Sequence, residues 1–153
     1  MNYQDYTMLL NDLIRINNDR IAGYEKLSSE LREGHDSDLA LLFSKMITNS
    51  RDFNTDLSKM VGFLGGTPAT GSTGAGKLYR IWLDVKAVFM VTSDRTTILM
   101  HCEQIEDAVQ QAYADALNEP GLPAELFTLL SSQKASLLAA HDEIKVLRDI
   151  QHV

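Results

Sequence analysis

Apolar residues recur along most of this chain at every third or fourth position, the spacing that lines up side chains on one helix face. From about Tyr3 to Leu31 the stripe is Tyr6, Leu9, Leu10, Leu13, Ile16, Asn17, Arg20, Tyr24, Leu27 and Leu31, and Gly34 stops it. A second helix starts at Asp36 or Ser37, either of which can cap free amides. Its stripe is Leu39, Leu42, Phe43, Met46, Ser50, Phe53, Leu57, Met60 and Leu64, ended by Gly65-Gly66 and Pro68. Small and polar residues from Thr67 to Gly76 read as a loop. A short helix follows over about Lys77 to Met90. Ser93 then caps a long helix that reaches about Asn118, with Leu99, Cys102, Glu106, Val109, Tyr113 and Ala116 on its face. Beyond the turn at Pro120-Gly121, Pro123 opens a last helix carrying Leu126, Leu130, Gln133, Leu137, His141, Ile144 and Arg148.

Connection lengths convert these elements into a topology. The first two long helices, and likewise the last two, are joined by turns of a few residues and form antiparallel hairpins. Each long helix spans roughly 40 Å at about 1.5 Å per residue. The stretch Gly65 to Ala75 reaches at most about 36 Å and the short helix adds about 20 Å, enough to travel the whole bundle. The expected fold is therefore all-α: a ferritin-like four-helix bundle with one long crossover, at about 65–91, that carries a short fifth helix. Residues 1–153 read as a single domain.

Composition narrows the functional classes. Of the 153 residues, 44% are hydrophobic and 23% charged, an ordinary globular balance. A net charge of −7 argues against nucleic acid, whose phosphates need a basic face, and against an anionic membrane surface. The first residues lack the basic start and apolar run of a signal peptide, and no apolar stretch is long enough to span a bilayer. With a single cysteine, Cys102, no intrachain disulfide can form, and a cytoplasmic location is expected.

The motifs that carry chemistry are incomplete. Gly71 to Leu78 matches the phosphate-binding pattern G-x-x-x-x-G-K-[ST] except at the last position, where Leu78 replaces the hydroxyl that holds magnesium. That loop also follows a helix rather than a strand, so no nucleotide binding is expected. A di-metal carboxylate centre needs Glu-x-x-His on two helices. The residues three before His35, His101, His141 and His152 are Arg32, Ile98, Leu138 and Asp149, so the motif is missing. A reduced iron or zinc site built on Glu106 and His141, with Glu25 or Glu103, is the alternative to no cofactor at all. Cys102 reads as a small core residue, and His101 beside it points off the stripe.

Polar residues inside the stripes are more informative. Asn17, Ser50 and Glu106 each sit near a helix midpoint on an apolar face, and His141 lies about one turn from the middle of its helix. A buried Glu106 needs a partner, and Arg20, Arg51 and His141 are in reach. Asn17, Arg20, Ser50, Arg51, Glu106 and His141 are thus expected to form a buried polar layer that fixes helix register. On the short helix, the apolar arc around Trp82 is wider than one buried face requires, which points to a homo-oligomer contact.

Three segments carry a family resemblance. Leu10 to Glu25 (LNDLIRINNDRIAGYE), Cys102 to Ala108 (CEQIEDA) and Ala140 to Asp149 (AHDEIKVLRD) resemble the opening, third-long-helix signature and closing stretch of a family of small bacterial ferritin-like four-helix-bundle proteins, catalogued as a domain of unknown function. The likeness runs from about Leu9 to Asp149. It implies the fold and no particular activity. The expected function is that of a non-enzymatic helical protein acting through self-assembly or partner contacts, in the setting of stress adaptation; a degenerate carboxylate metalloprotein is the alternative.

Overall fold

A computed structural model describes residues 2–29, 31–32, 34–73 and 95–151. Four long helices occur among them: α1 (Tyr3–Ser29), α2 (Ser37–Phe63), α3 (Arg95–Leu117) and α4 (Ala124–Gln151). The short helix expected at about 77–90, its Trp82 and the Ser93 cap lie outside the described residues, as does the latter half of the phosphate-loop near-match.

Cross-helix pairs fix the directions. Along α1, Asn17, Arg20 and Tyr24 meet Ser50, Met46 and Phe43 of α2, so the two run antiparallel. The same side of α1 meets Tyr113 and then Glu106 of α3, again antiparallel. α2 and α3 are therefore parallel to each other. Gln110 to Lys134 and Asp107 to His141 run α4 antiparallel to α3. The chain after α2 leaves one end of the bundle and α3 begins at the other, which is the ferritin-like connection read from the loop lengths.

The helix ends follow from local chemistry. α2 stops in a Schellman turn: Gly65, at φ +86, donates to the Gly62 carbonyl at 3.0 Å, and Gly66 donates to Val61 at 2.9 Å. A side chain on Gly66 would meet Thr7 Cγ2 at 2.8 Å, so the chain leaves α2 pressed against α1. Asp36 occupies the N-cap position of α2 but makes no cap bond. Its carboxylate instead accepts from the Arg32 amide at 3.0 Å and lies 3.4 Å from Arg95.

Residues 67–73 form a strap along the outside of α1. Asn11 donates to the Thr67 carbonyl at 3.1 Å and accepts from the Ala69 amide at 2.8 Å. Two turns further on, Asn18 donates to the Gly71 carbonyl at 2.8 Å, and Asp19 accepts from the Thr73 hydroxyl at 2.5 Å. Three side chains that would otherwise face water thus satisfy backbone groups of a segment with no regular structure of its own. Inside, Leu10, Leu27, Leu39, Phe43, Leu57, Leu99, Val109, Leu130 and Ile144 are fully shielded and form one continuous core.

Candidate functional site, a buried polar layer

The core is interrupted at mid-height by a layer in which Asn17, Arg20, Ser50 and Glu106 are each 0% exposed. The Arg20 guanidinium meets the Glu106 carboxylate side-on, Nε to Oε2 at 2.8 Å and Nη2 to Oε1 at 2.7 Å. This bidentate geometry matches two donors to two acceptors. Nη1 donates to Ser50 Oγ at 2.8 Å, Asn49 Oδ1 at 3.0 Å and the Met46 carbonyl at 3.2 Å. Tyr24 donates its hydroxyl to Glu106 Oε2 at 3.0 Å.

From Ser50 the bonds continue across the bundle. Ser50 donates to Asn17 Oδ1 at 2.8 Å, and Asn17 Nδ2 donates to Tyr113 Oη at 2.9 Å. Tyr113 in turn donates to Gln133 Oε1 at 2.6 Å, and Gln133 Nε2 reaches the Phe53 carbonyl at 3.3 Å. Each of the four described helices contributes at least one side chain. Such a chain is costly when broken, because each buried polar group depends on its neighbour for satisfaction.

Electrostatics keep Arg20 charged and the two phenols protonated. Burial works to lower the Arg20 pKa, but the Glu106 carboxylate overrides it and the guanidinium is held above its ordinary value. Burial, reinforced by Glu106, pushes the Tyr24 phenol well up, and burial also raises Tyr113. Cys102, one turn before Glu106 on α3, is fully buried, and burial followed by the neighbouring carboxylate lifts its thiol well above the usual range. That combination keeps the thiol protonated and unreactive.

Two residues expected in the layer lie elsewhere. Arg51 is the neighbour of Ser50, and one residue turns a helix by about 100°, which carries it to the surface. There it pairs with Glu25 at 2.8 Å, both side chains more than half exposed. His141 sits beside Ala140, and Ala140 is the residue that faces the core. The imidazole faces the outer side of α3, with Nε2 2.7 Å from Asp107 and 4.0 Å from Glu103. Glu106 therefore does not pair with His141. Tyr24, Tyr113 and Gln133 complete the layer and were already on the apolar stripes. Gln133, a polar residue on a core face, was the readable signal, whereas a tyrosine in a stripe shows its ring and hides its hydroxyl.

The donor set can be compared with a di-metal centre, which gathers several carboxylates and two histidines inside a bundle. The layer contains one carboxylate, and a guanidinium and a phenol already occupy its oxygens. Its remaining members are neutral amides and hydroxyls. These residues do not fit such a centre, because Arg20 supplies in place the positive charge that Glu106 requires. Among the described residues no group of three or more His, Cys, Asp or Glu side chains could hold a metal ion. No described helix is long and apolar enough to cross a membrane.

Two solved structures that match this fold are distant in sequence. A mutant of Dps1 from Mycobacterium smegmatis matches with a TM-score of 0.79 at 12% identity, over 95% of this chain and 96% of that one. A conserved hypothetical protein from Mycobacterium tuberculosis matches with a TM-score of 0.71 at 14% identity, over 93% and 89%. No curated protein matches significantly. The residues of α1, α2 and α3 that build most of the layer fall within residues 5–119, which match the family model described as "Domain of unknown function (DUF2383)", and the chain belongs to that family.

Proposed function

We propose that this protein is a non-enzymatic helical bundle that acts through self-assembly or partner contacts. The observation that supports this reading is the full commitment of Glu106. Its carboxylate is the one acid in the layer, and Arg20 and Tyr24 hold both of its oxygens away from water. A general base or metal ligand must be free to exchange its partner. Here the ion pair instead ties α1 to α3 within a layer that reaches all four described helices, and setting register is the role best attested for buried polar groups in helical assemblies. Function then rests on the outer surface.

Metal analysis of protein purified without chelators tests the reading, with Glu106→Gln in parallel. The expected result is metal well below one equivalent in both. Stoichiometric iron or zinc that disappears in a folded Glu106→Gln variant would establish the carboxylate metalloprotein instead.

A further inference from the structure

The four side faces of the bundle differ in what closes them. The α1–α2 face carries the strap. The α3–α4 face is laced by Glu103 to Arg148 and Asp107 to His141. A groove between α1 and α3 is rimmed by Asp5, Asp12, Asp115 and Glu119, so two copies of it would repel each other.

Among the described residues nothing covers the α2–α4 face, which carries apolar side chains toward both ends. Where α2 begins and α4 finishes, Leu41, Leu42, Ala139, Val146 and Leu147 line a hollow of about 660 Å³. Toward the opposite end, Met60, Phe63 and Leu129 line a second of about 380 Å³, rimmed by Asp56, Lys59 and Glu125. Leu41 is 67% exposed, Val146 58% and Phe63 81%. Large apolar side chains exposed together on one face mark an interaction surface rather than ordinary scatter.

We propose that this face binds a second copy of the same chain about a two-fold axis. Three observations select that occupant. First, most charges around the larger hollow are offset within the chain, Lys45 with Glu143 at 3.1 Å and Arg95 with Asp38, while Asp142 lies 3.5 Å from His141 Nδ1. Two such faces, each mixing both signs, meet with less repulsion than two copies of the all-acidic groove. Second, the hollows lie on opposite sides of the middle of α2, each about two to three turns from Ser50. A two-fold axis through the middle therefore sets apolar ends against apolar ends, the self-complementarity an isologous interface requires. Third, two helices about 40 Å long with axes about 10 Å apart present roughly 800 Å² per copy, the size of a standard stable interface.

This inference rests on the self-assembly part of the proposed function and can fail separately from it. Sedimentation equilibrium of the full chain at micromolar concentration reads the outcome. The wild type is expected to form dimers or even-numbered assemblies, and Leu41→Glu with Val146→Glu to weaken association at least a hundredfold while the helical spectrum is kept. Asp5→Asn with Glu119→Gln, in the acidic groove, is expected to leave association unchanged. Should the glutamate variant unfold, Leu41→Ser with Val146→Ser, which adds no charge, is read in its place. An assembly that survives the α2–α4 variants but dissociates in Trp82→Ala would overturn this surface and leave self-assembly standing. A wild type that stays monomeric at high micromolar concentration would overturn both.

Discussion

The Ser50 hydroxyl donates to Asn17 Oδ1 at 2.8 Å, and this one bond joins the Arg20–Glu106 pair to the Tyr113–Gln133 pair across the bundle. Ser50 accepts from Arg20 at the same time, so it links the charged half of the layer to the neutral half. Ser50→Ala would leave Asn17 Oδ1 without its donor and remove the shortest of the three contacts that Arg20 Nη1 makes. The expected cost is about 1–3 kcal/mol of unfolding free energy, measured by urea denaturation. A change within a few tenths of a kcal/mol would show that the two halves stand alone.

Breaking the ion pair should be more severe. Glu106→Ala strands a buried guanidinium and should cost about 3–5 kcal/mol. That is a large share of the stability of an ordinary domain, about 5–15 kcal/mol. Glu106→Gln keeps an acceptor of the same size and should cost less. Arg20→Met combined with Glu106→Leu removes both charges and should recover most of the loss, since apolar replacement of a buried pair is often neutral. A double variant as unstable as Glu106→Ala would mean that packing around these side chains, not charge, sets the penalty.

Alkaline titration should separate the tyrosines. Tyr24 and Tyr113 have raised pKa values, so the folded state binds their protons more tightly than the unfolded chain does. Their contribution to stability is complete below about pH 10, the ordinary phenol value, and is lost as pH rises beyond it. Phenolate absorbance should therefore show at least two of the five tyrosines, Tyr24 and Tyr113 among them, ionising only together with loss of helical signal. Smooth ionisation of all five in the folded protein would contradict the closed layer.

Acid should act at a different place. The hydrogen bond from Arg95 holds the Asp38 carboxyl below the usual carboxylate range. The stabilisation from this pair is full above about pH 4 and fades as pH falls through the lowered value. Because Asp38 is half exposed, the pair contributes only about 0.2–1 kcal/mol at neutral pH. Asp38→Asn should abolish that increment, and added salt should shrink it in the wild type, both read from denaturation midpoints.

The strap offers a local test. Asn11→Ala with Asp19→Ala removes side-chain anchors of residues 67–73 without touching the core. Limited proteolysis should cut that segment several times faster, while the global unfolding midpoint moves little. Equal cleavage rates would show that the segment is held by something other than these bonds.

These tests mark where the sequence was legible. Four long stripes at three- and four-residue spacing gave the helices, and the reach of the segment after Leu64 gave the parallel relation of α2 and α3. Asn17, Ser50 and Glu106 stood out because they are polar at core positions near helix midpoints. Arg20 was reachable because it lies one turn beyond Asn17. Neighbouring positions were harder. Arg51 and His141 each sit one residue from a buried position, and a shift of one residue exchanges core for surface. The α4 stripe passes through Ala140, whose small side chain gives a weak signal beside a histidine. The anchoring of the strap was invisible, because Asn11, Asn18 and Asp19 look like an ordinary solvated face until residues 67–73 are laid across them.

Cys102 makes the core its own reporter. The lone thiol is fully shielded, one turn from the carboxylate at the centre of the layer. A thiol reagent can reach it only when α3 moves away from its neighbours, so the labelling rate under native conditions counts those openings one at a time. In the fast-closing regime the rate gives the free energy of the opening. Comparing wild type with Ser50→Ala then tells whether the layer opens as part of global unfolding or as a separate breathing motion of the second hairpin. No probe has to be introduced, because every other position can be varied around a cysteine the chain already carries.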